Sequence, residues 1–124
     1  MKILGLSGAL LMLSLTAAYA DPPPTGSVDA AIMNGYETWV NQQLTPDGNH
    51  RCCDISDGRP ATIRWRNGHW QAYITSARWH EWHQADGWYD IPDELITEEA
   101  NPTGWPILWV YNNEIRCFRK PSMS

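Results

Sequence analysis

The first hydrophobic pattern after residue 20 has the period of an amphipathic helix. Its apolar and aromatic positions recur at spacings of three and four: Val28, Ile32, Tyr36, Trp39 or Val40, and Leu44. This spacing places them on one side of a helix. Ser27 is a good capping residue at the start, and Pro46 disfavours helical backbone at the residue before it. The pattern predicts one helix over residues 28–44.

Residues 61–75 show the alternating pattern of a β-hairpin. The apolar positions are Ala61, Ile63, Trp65, Trp70, Ala72 and Ile74. Asn67-Gly68 between them is typical of a two-residue type I′ turn. Such a turn fixes the register and predicts Trp65 opposite Trp70. Every apolar residue of the hairpin then lies on one face, with Arg64, Gln71 and Tyr73 on the other.

A second hairpin is predicted near the C-terminus around Asn112-Asn113, because asparagine tolerates the positive φ of a tight turn. The flanking strand patterns occupy residues 107–111 and 114–119. The expected cross-strand pairs are Val110 with Ile115 and Leu108 with Cys117. Both faces carry apolar residues, so we expect this hairpin to be covered on both sides, with Cys117 pointing inward.

The segment between the two hairpins fits more than one kind of secondary structure. Residues 76–87 fit either a helix or a strand, residues 88–91 fit a short strand, and Pro92 is suited to begin a helical turn. Together the patterns predict an α+β fold. We expect a small antiparallel sheet or barrel-like roll of about five strands, with the N-terminal helix packed on it and a disulfide as a staple.

The N-terminus has the pattern of a secretory signal peptide. Lys2 precedes an uncharged, mostly apolar run, and Ala18-Tyr19-Ala20 matches a cleavage site. We therefore expect a signal peptide at residues 1–20, a proline-rich spacer at 21–26 and one globular domain at 27–121. The mature chain should be periplasmic or secreted, with no integral membrane segment.

Composition limits the expected classes of binding partner and indicates the cellular compartment. The net charge of −5 argues against nucleic acid, which rewards clustered basic residues. An exported chain with three cysteines indicates a disulfide. Cys52 or Cys53 should pair with Cys117. The remaining thiol is then buried, reactive or available for a disulfide-linked dimer.

Tryptophan is unusually frequent, with 8 residues in the chain. Trp79, Trp82 and Trp105 lie in loop-like stretches, the first two of them next to His80 and His83. Exposed aromatic and polar side chains of this kind favour recognition of a cell-envelope glycan or protein. The competing interpretation is that a small domain uses bulky side chains to fill its core. The leading hypothesis is an exported binding or interaction protein that is not an enzyme and needs no cofactor.

Two other functions have some support from the residues. His80 and His83, three apart, can present two imidazoles to Zn or Cu, and His50 can add a third; the alternative is that they are surface histidines. A small hydrolase with Asp54 or Asp57 in its site ranks third, because Asp in a turn more often accepts backbone N–H groups. No residue is assigned a catalytic role.

Three segments carry a resemblance to known proteins: CCDISDGRP at 52–60, NPTGWPILWVY at 101–111 and RCFRKP at 116–121. They resemble a group of short exported proteobacterial proteins of unknown function, over about residues 50–121. Some members of that group have another cysteine near the position of Gly58, which implies that the odd cysteine count here reflects one lost partner. The resemblance implies no activity.

Overall fold

The computed structural model describes residues 23–52 and 57–121, and within these the backbone alone of Asp57. The predicted signal peptide, Cys53 and Asp54 lie outside the described residues. The described chain forms two helices and six strands: α1 Val28–Met33, α2 Glu37–Gln42, β1 Asp57–Pro60, β2 Ile63–Arg66, β3 His69–Ile74, β4 Gly87–Asp90, β5 Ile107–Tyr111 and β6 Glu114–Arg119. A 3₁₀ turn, Asp93–Leu95, follows β4.

The strands form two antiparallel sheets. The first sheet has the order β1-β5-β6 and the second has the order β2-β3-β4. The sheet-rich α+β layout agrees with the prediction. A single sheet or roll of about five strands does not describe the arrangement, because β1 pairs with β5 instead of with the neighbouring hairpin.

The predicted single helix over residues 28–44 is wrong. It is divided into α1 and α2 by Asn34-Gly35, where Gly35 has a φ of +86°. Glycine adopts this left-handed conformation at little cost, and it ends a helix. Ser27 caps α1 as expected, because its Oγ accepts a hydrogen bond from the N–H of Ala30 at 3.0 Å. The apolar spacing continues across the break, from Ile32 through Tyr36 to Trp39, so the pattern does not show where α1 ends.

The first predicted hairpin is confirmed in its register. Trp65 lies opposite Trp70, with the ring centroids 5.3 Å apart in an edge-to-face arrangement. Asn67 and Gly68 both have positive φ, as a type I′ turn requires. The short turn and the alternating side chains determine this register locally.

The second hairpin contains an irregularity that the sequence did not reveal. Val110 lies opposite Ile115 as predicted, but the register shifts between Trp109 and Val110. Cys117 therefore lies opposite Trp109, and the predicted pairing of Cys117 with Leu108 is wrong. An extra residue on β6 at this point is a β-bulge, which changes which residues share a face.

The first sheet lies in the middle of the molecule. On one face, Ile107, Trp109 and Cys117 pack with Met33 and Val40 of the two helices. On the other face, a second cluster joins it to the second sheet and the turns after β3: Ala61, Ala72, Ile74, Trp79, Trp82, Ile91, Leu95, Leu108, Val110 and Phe118. The prediction that the β5–β6 hairpin is covered on both sides is confirmed.

Two long-range connections attach the segment after α2 to β6. Cys52 is bonded to Cys117 across a sequence separation of 65 residues. The buried guanidinium of Arg119 donates from Nε to Oε1 of Gln43 at 2.9 Å and from Nη2 to the carbonyl of Leu44 at 2.7 Å. Its Nε is also 3.1 Å from a carboxylate oxygen of Glu99. Desolvation lowers the pKa of Arg119, whereas Glu99 opposes that effect.

None of the helices in the described ranges is both long enough and apolar enough to span a bilayer.

Candidate functional site

Two of the tryptophans predicted to be exposed are buried. Trp79 is 1% exposed and Trp82 is 3% exposed. The turns that follow β3 fold back over the core, where Nε1 of Trp79 donates to the carbonyl of Leu108 at 3.0 Å. The ring of Trp82 packs edge-to-face on Tyr89 with the centroids 4.5 Å apart. The expectation of exposure is wrong for both residues, because this segment supplies the contact between the two sheets.

The other predicted site residues do not form one cluster. Trp105 is 50% exposed and lies in the turn before β5, where its backbone N–H donates to Oγ1 of Thr103. His50, His80 and His83 are exposed. Within residues 23–52 and 57–121, no group of three or more His, Cys, Asp or Glu residues could hold a metal ion. The metal alternative stays a prediction.

A cleft opens where α1 approaches the second sheet and the turn after β3. Its volume is about 490 Å³, within the range of about 300–1,000 Å³ that small-ligand sites occupy. Its polar and aromatic walls include Ser27, Asp29, Thr62, Tyr73, Arg78 and His80. Of the predicted binding residues, His80 and Trp79 line this cleft, whereas Trp82, His83 and Trp105 do not.

An ion pair forms one wall of the cleft. Nε of Arg78 lies 3.1 Å from Oδ2 of Asp29, and Nη1 of Arg78 donates to the carbonyl of Pro60 at 3.3 Å. The backbone N–H of Arg78 donates to Oγ1 of Thr75 at 3.3 Å. The side-chain contacts hold the guanidinium between α1 and β1, and the Thr75 contact fixes the backbone of Arg78.

The second oxygen of Asp29 has no hydrogen-bond partner among the described residues. The Asp29 side chain is 14% exposed, and its Oδ1 is buried and accepts no hydrogen bond from the described part of the chain. A buried acceptor without a donor costs about 1–3 kcal/mol, and more when it is charged. Because Oδ1 is buried, a ligand hydroxyl or amine in the cleft would recover this free energy after a shift of the Asp29 side chain toward the cleft.

Part of the cleft lining belongs to the exposed face of the second sheet. We call this surface the outer face and define it by Arg64, Gln71, Tyr73, Trp88 and Asp90. Tyr73 lines the cleft, is 39% exposed, and packs edge-to-face on Trp88 with the centroids 5.4 Å apart. The outer face and the cleft are therefore continuous through Tyr73.

A row of polar contacts crosses the outer face. Nε of Arg64 donates to Oε1 of Gln71 at 2.7 Å, and Nε2 of Gln71 donates to Oδ1 of Asp90 at 2.7 Å. The guanidinium of Arg64 lies over Trp88, with Cζ 4.1 Å from the ring centroid. Desolvation and the charge of Arg66 lower the pKa of Arg64, but a guanidinium stays protonated at neutral pH.

Sequence reasoning missed the central ion pair of the cleft. The period-2 pattern did place Arg64, Gln71 and Tyr73 on the face opposite the core, which was the available signal for the outer face. Asp29 and Arg78 carry no local motif, because their contact depends on how α1 packs against a distant turn.

Comparison of the chain with protein-family models, curated proteins and solved structures finds no match in any of the three. The resemblance to short exported proteobacterial proteins therefore stays a prediction.

Proposed function

We propose that the protein is an exported binding module of the cell envelope, and that its ligand occupies the cleft beside Asp29 and Arg78. The observation that carries this proposal is the buried Oδ1 of Asp29, which has no donor among the described residues, at the wall of a cleft of about 490 Å³. Convergent polar groups in a cleft of this size are typical of a ligand site. The Cys52–Cys117 disulfide is compatible with periplasmic or secreted localisation.

The lining chemistry favours a ligand that offers hydroxyl or amine donors together with a flat apolar surface. Asp29 can accept such donors, and the partly exposed ring of Tyr73 can pack against an apolar face. A sugar ring combines both properties, since its hydroxyls form a rim around C–H faces. We therefore propose an envelope glycan as the ligand, ahead of a protein partner.

The test is titration of the purified full chain with soluble peptidoglycan fragments, followed by calorimetry and by tryptophan fluorescence. Trp79 lines the cleft, so ligand in the cleft should change its emission. Asp29→Asn should weaken binding about tenfold or more, because the acceptor charge is lost. Glu114→Gln is the matched control, since Glu114 also pairs with an arginine at 3.1 Å but is 67% exposed.

The outcomes separate the candidate functions. Loss of affinity in Asp29→Asn with unchanged affinity in Glu114→Gln supports the cleft, provided that both variants keep the wild-type melting temperature. Equal affinity in both variants overturns it. Zinc or copper that copurifies with the chain and is lost in His80→Ala/His83→Ala would instead favour the metal-binding alternative.

A further inference from the structure

Arg64 is held from two sides, while its outer nitrogens have no partner among the residues that the structure describes. Trp88 lies beneath the guanidinium at 4.1 Å, and Gln71 accepts from Nε at 2.7 Å. Nη1 and Nη2 make no hydrogen bond or ion pair with any residue in the described ranges. These two nitrogens form the edge of the guanidinium that can bind a carboxylate or phosphate through two parallel hydrogen bonds.

The contacts around Arg64 fix the orientation of its neighbours. Arginine can only donate and an ionised aspartate can only accept, so Gln71 must accept through Oε1 and donate through Nε2. The row Arg64–Gln71–Asp90 therefore has one polarity from β2 to β4. A guanidinium that is already placed loses little side-chain entropy when an anion binds.

Acceptors and aromatic rings surround this cation on the same face. Asp90 lies at the far end of the row and is exposed. Tyr73 and Trp88 form an edge-to-face pair, and Tyr73 continues into the cleft. The arrangement provides the guanidinium of Arg64 for an anionic group, acceptors for hydroxyls and a ring for a C–H face.

We propose that the outer face binds a carboxylate-bearing saccharide, with its carboxylate on Nη1 and Nη2 of Arg64 and an adjoining sugar ring against Tyr73. The inference deepens the proposed function and rests on it, because the same saccharide chain continues into the cleft at Asp29. The Nη1 and Nη2 edge of Arg64, which no described residue pairs, supplies the charge complementarity for an anionic group.

A saccharide suits this surface better than an acidic peptide does. Peptides are commonly bound by extending the edge of a sheet or by filling a groove. Arg64 is not placed for either mode of peptide binding, because its guanidinium lies over the ring of Trp88 on β4, on the face of the sheet. A face with Arg64 stacked on Trp88, a second aromatic ring and hydroxyl acceptors fits a sugar ring that carries a carboxylate.

The experiment uses two disaccharides that differ in one group. N-acetylglucosaminyl-N-acetylmuramic acid carries a lactyl carboxylate, and N,N′-diacetylchitobiose lacks it. Each is titrated by calorimetry into the full chain with its disulfide intact, at low and at physiological salt. We expect the acidic disaccharide to bind about tenfold more tightly than the neutral one, and salt to reduce that preference.

Variants of two neighbouring arginines test the role of Arg64. Arg64→Gln should bind both disaccharides with the affinity of the neutral one, and Arg64→Lys should lose most of the preference, because an ammonium lacks the planar edge. Arg66→Gln is the matched control. It removes an equal charge from the same strand and face, whereas the hydrogen bond to Gln71 and the stacking on Trp88 both belong to Arg64. It should keep the preference within about twofold.

The results distinguish this inference from the proposed function. Equal affinity of the wild-type chain for the two disaccharides, or an unchanged preference in Arg64→Gln, overturns the assignment of the outer face. Neither result contradicts the proposal that the cleft binds a glycan. Absence of binding to both overturns the saccharide proposal for cleft and outer face together. Tighter binding of a glutamate-rich peptide than of the acidic disaccharide overturns the saccharide as occupant.

Discussion

The two sheets are built from similar hairpins, but they differ in how many of their faces are covered by other elements. The first sheet has the helices on one face and the second sheet on the other, so that four of the five β5 residues are buried. The second sheet is covered on one face only. Its outer face presents charged and aromatic side chains to solvent, including Tyr73 at 39% exposure.

The first sheet therefore contributes mainly to the stability of the fold, and the second sheet carries the proposed recognition surface. The disulfide and the buried guanidinium of Arg119 both end on β6 in the first sheet. The polar row and the stacked Arg64 lie on the second sheet. We therefore expect substitutions in the first sheet to change the free energy of unfolding, whereas substitutions on the outer face change ligand affinity.

Removal of the disulfide should have the largest effect on stability. The bond joins residues separated by 65 positions, and closing a loop of that length stabilises by about 4 kcal/mol in the chain-entropy model. We expect Cys52→Ala/Cys117→Ala to lose about this much, as measured by urea unfolding. A loss below about 1 kcal/mol would mean that the first sheet is not the main source of stability.

Two strand glycines provide a direct comparison of the sheets. A Cβ at Gly58 would lie 2.7 Å from Nε1 and 2.8 Å from Cε2 of Trp109, whereas a Cβ at Gly87 would meet nothing nearer than 4.0 Å. Gly58→Ala should cost about 1–3 kcal/mol through overpacking. Gly87→Ala should stay within about 0.5 kcal/mol of the wild type. Thermal unfolding of both variants measures the difference, and equal costs would remove the distinction in packing.

The hairpin turn is the position where the second sheet should be most sensitive. Gly68 has a φ of +80°, and a methyl group added at its Cα would meet no described atom within 4 Å. Gly68→Ala should therefore cost about 1 kcal/mol from backbone strain alone. Chemical denaturation measures this loss. A cost above that of Gly58→Ala would contradict the view that packing dominates in this fold.

Arg64→Gln should leave stability almost unchanged. Arg64 is partly exposed, and its cation–π contact with Trp88 is worth about 0.5–1 kcal/mol at an exposed site. The melting temperature should fall by no more than a few degrees, in contrast to the expected loss of preference for the acidic disaccharide. Unfolding at room temperature would show that the outer face is structural.

Loss of the Asp47 carboxylate, in a turn outside both sheets, should have the smallest effect on stability, and this effect should depend on pH only in the acidic range. The hydroxyl of Thr45 and the N–H of Asn49 donate to Oδ1 of Asp47 and lower the pKa of this carboxyl. A lowered pKa means that the folded state favours the charged form. Its contribution is complete above the ordinary aspartate pKa of about 3.9 and is lost as the pH falls through the lower folded value.

The check is the stability difference between the wild type and Asp47→Asn as a function of pH. We expect the difference to be constant above about pH 5 and to shrink below about pH 4. A difference that grows as the pH falls would reverse the sign of the linkage.

The sequence predicted those features that depend on neighbouring residues. The first hairpin is correct in register because a two-residue turn and an alternating pattern act over a few positions. The bulge in β6 was missed because nothing near Arg116 marks it, and the predicted helix overlooked the break at Gly35 because the apolar spacing continues across it.

The candidate site was predicted only in part, for the same reason. His80 and Trp79 were chosen for their residue types, and both line the cleft. Trp82 was assigned to the surface because its segment looked like a loop, yet the core needs its ring between the two sheets. The contact between Asp29 and Arg78 depends on tertiary packing, which no local pattern encodes.

The Cys52–Cys117 bond turns residues 52–117 into a covalent macrocycle that contains the second sheet and most of the first. Both helices lie on an arm outside it, attached through packing, hydrogen bonds and the ion pair of Asp29 with Arg78. A protease that cuts before Cys52 would break the covalent link and leave the arm attached through these noncovalent contacts alone. Dissociation of the arm would then remove the Asp29 wall of the cleft and leave Arg64, Gln71 and Trp88 in place.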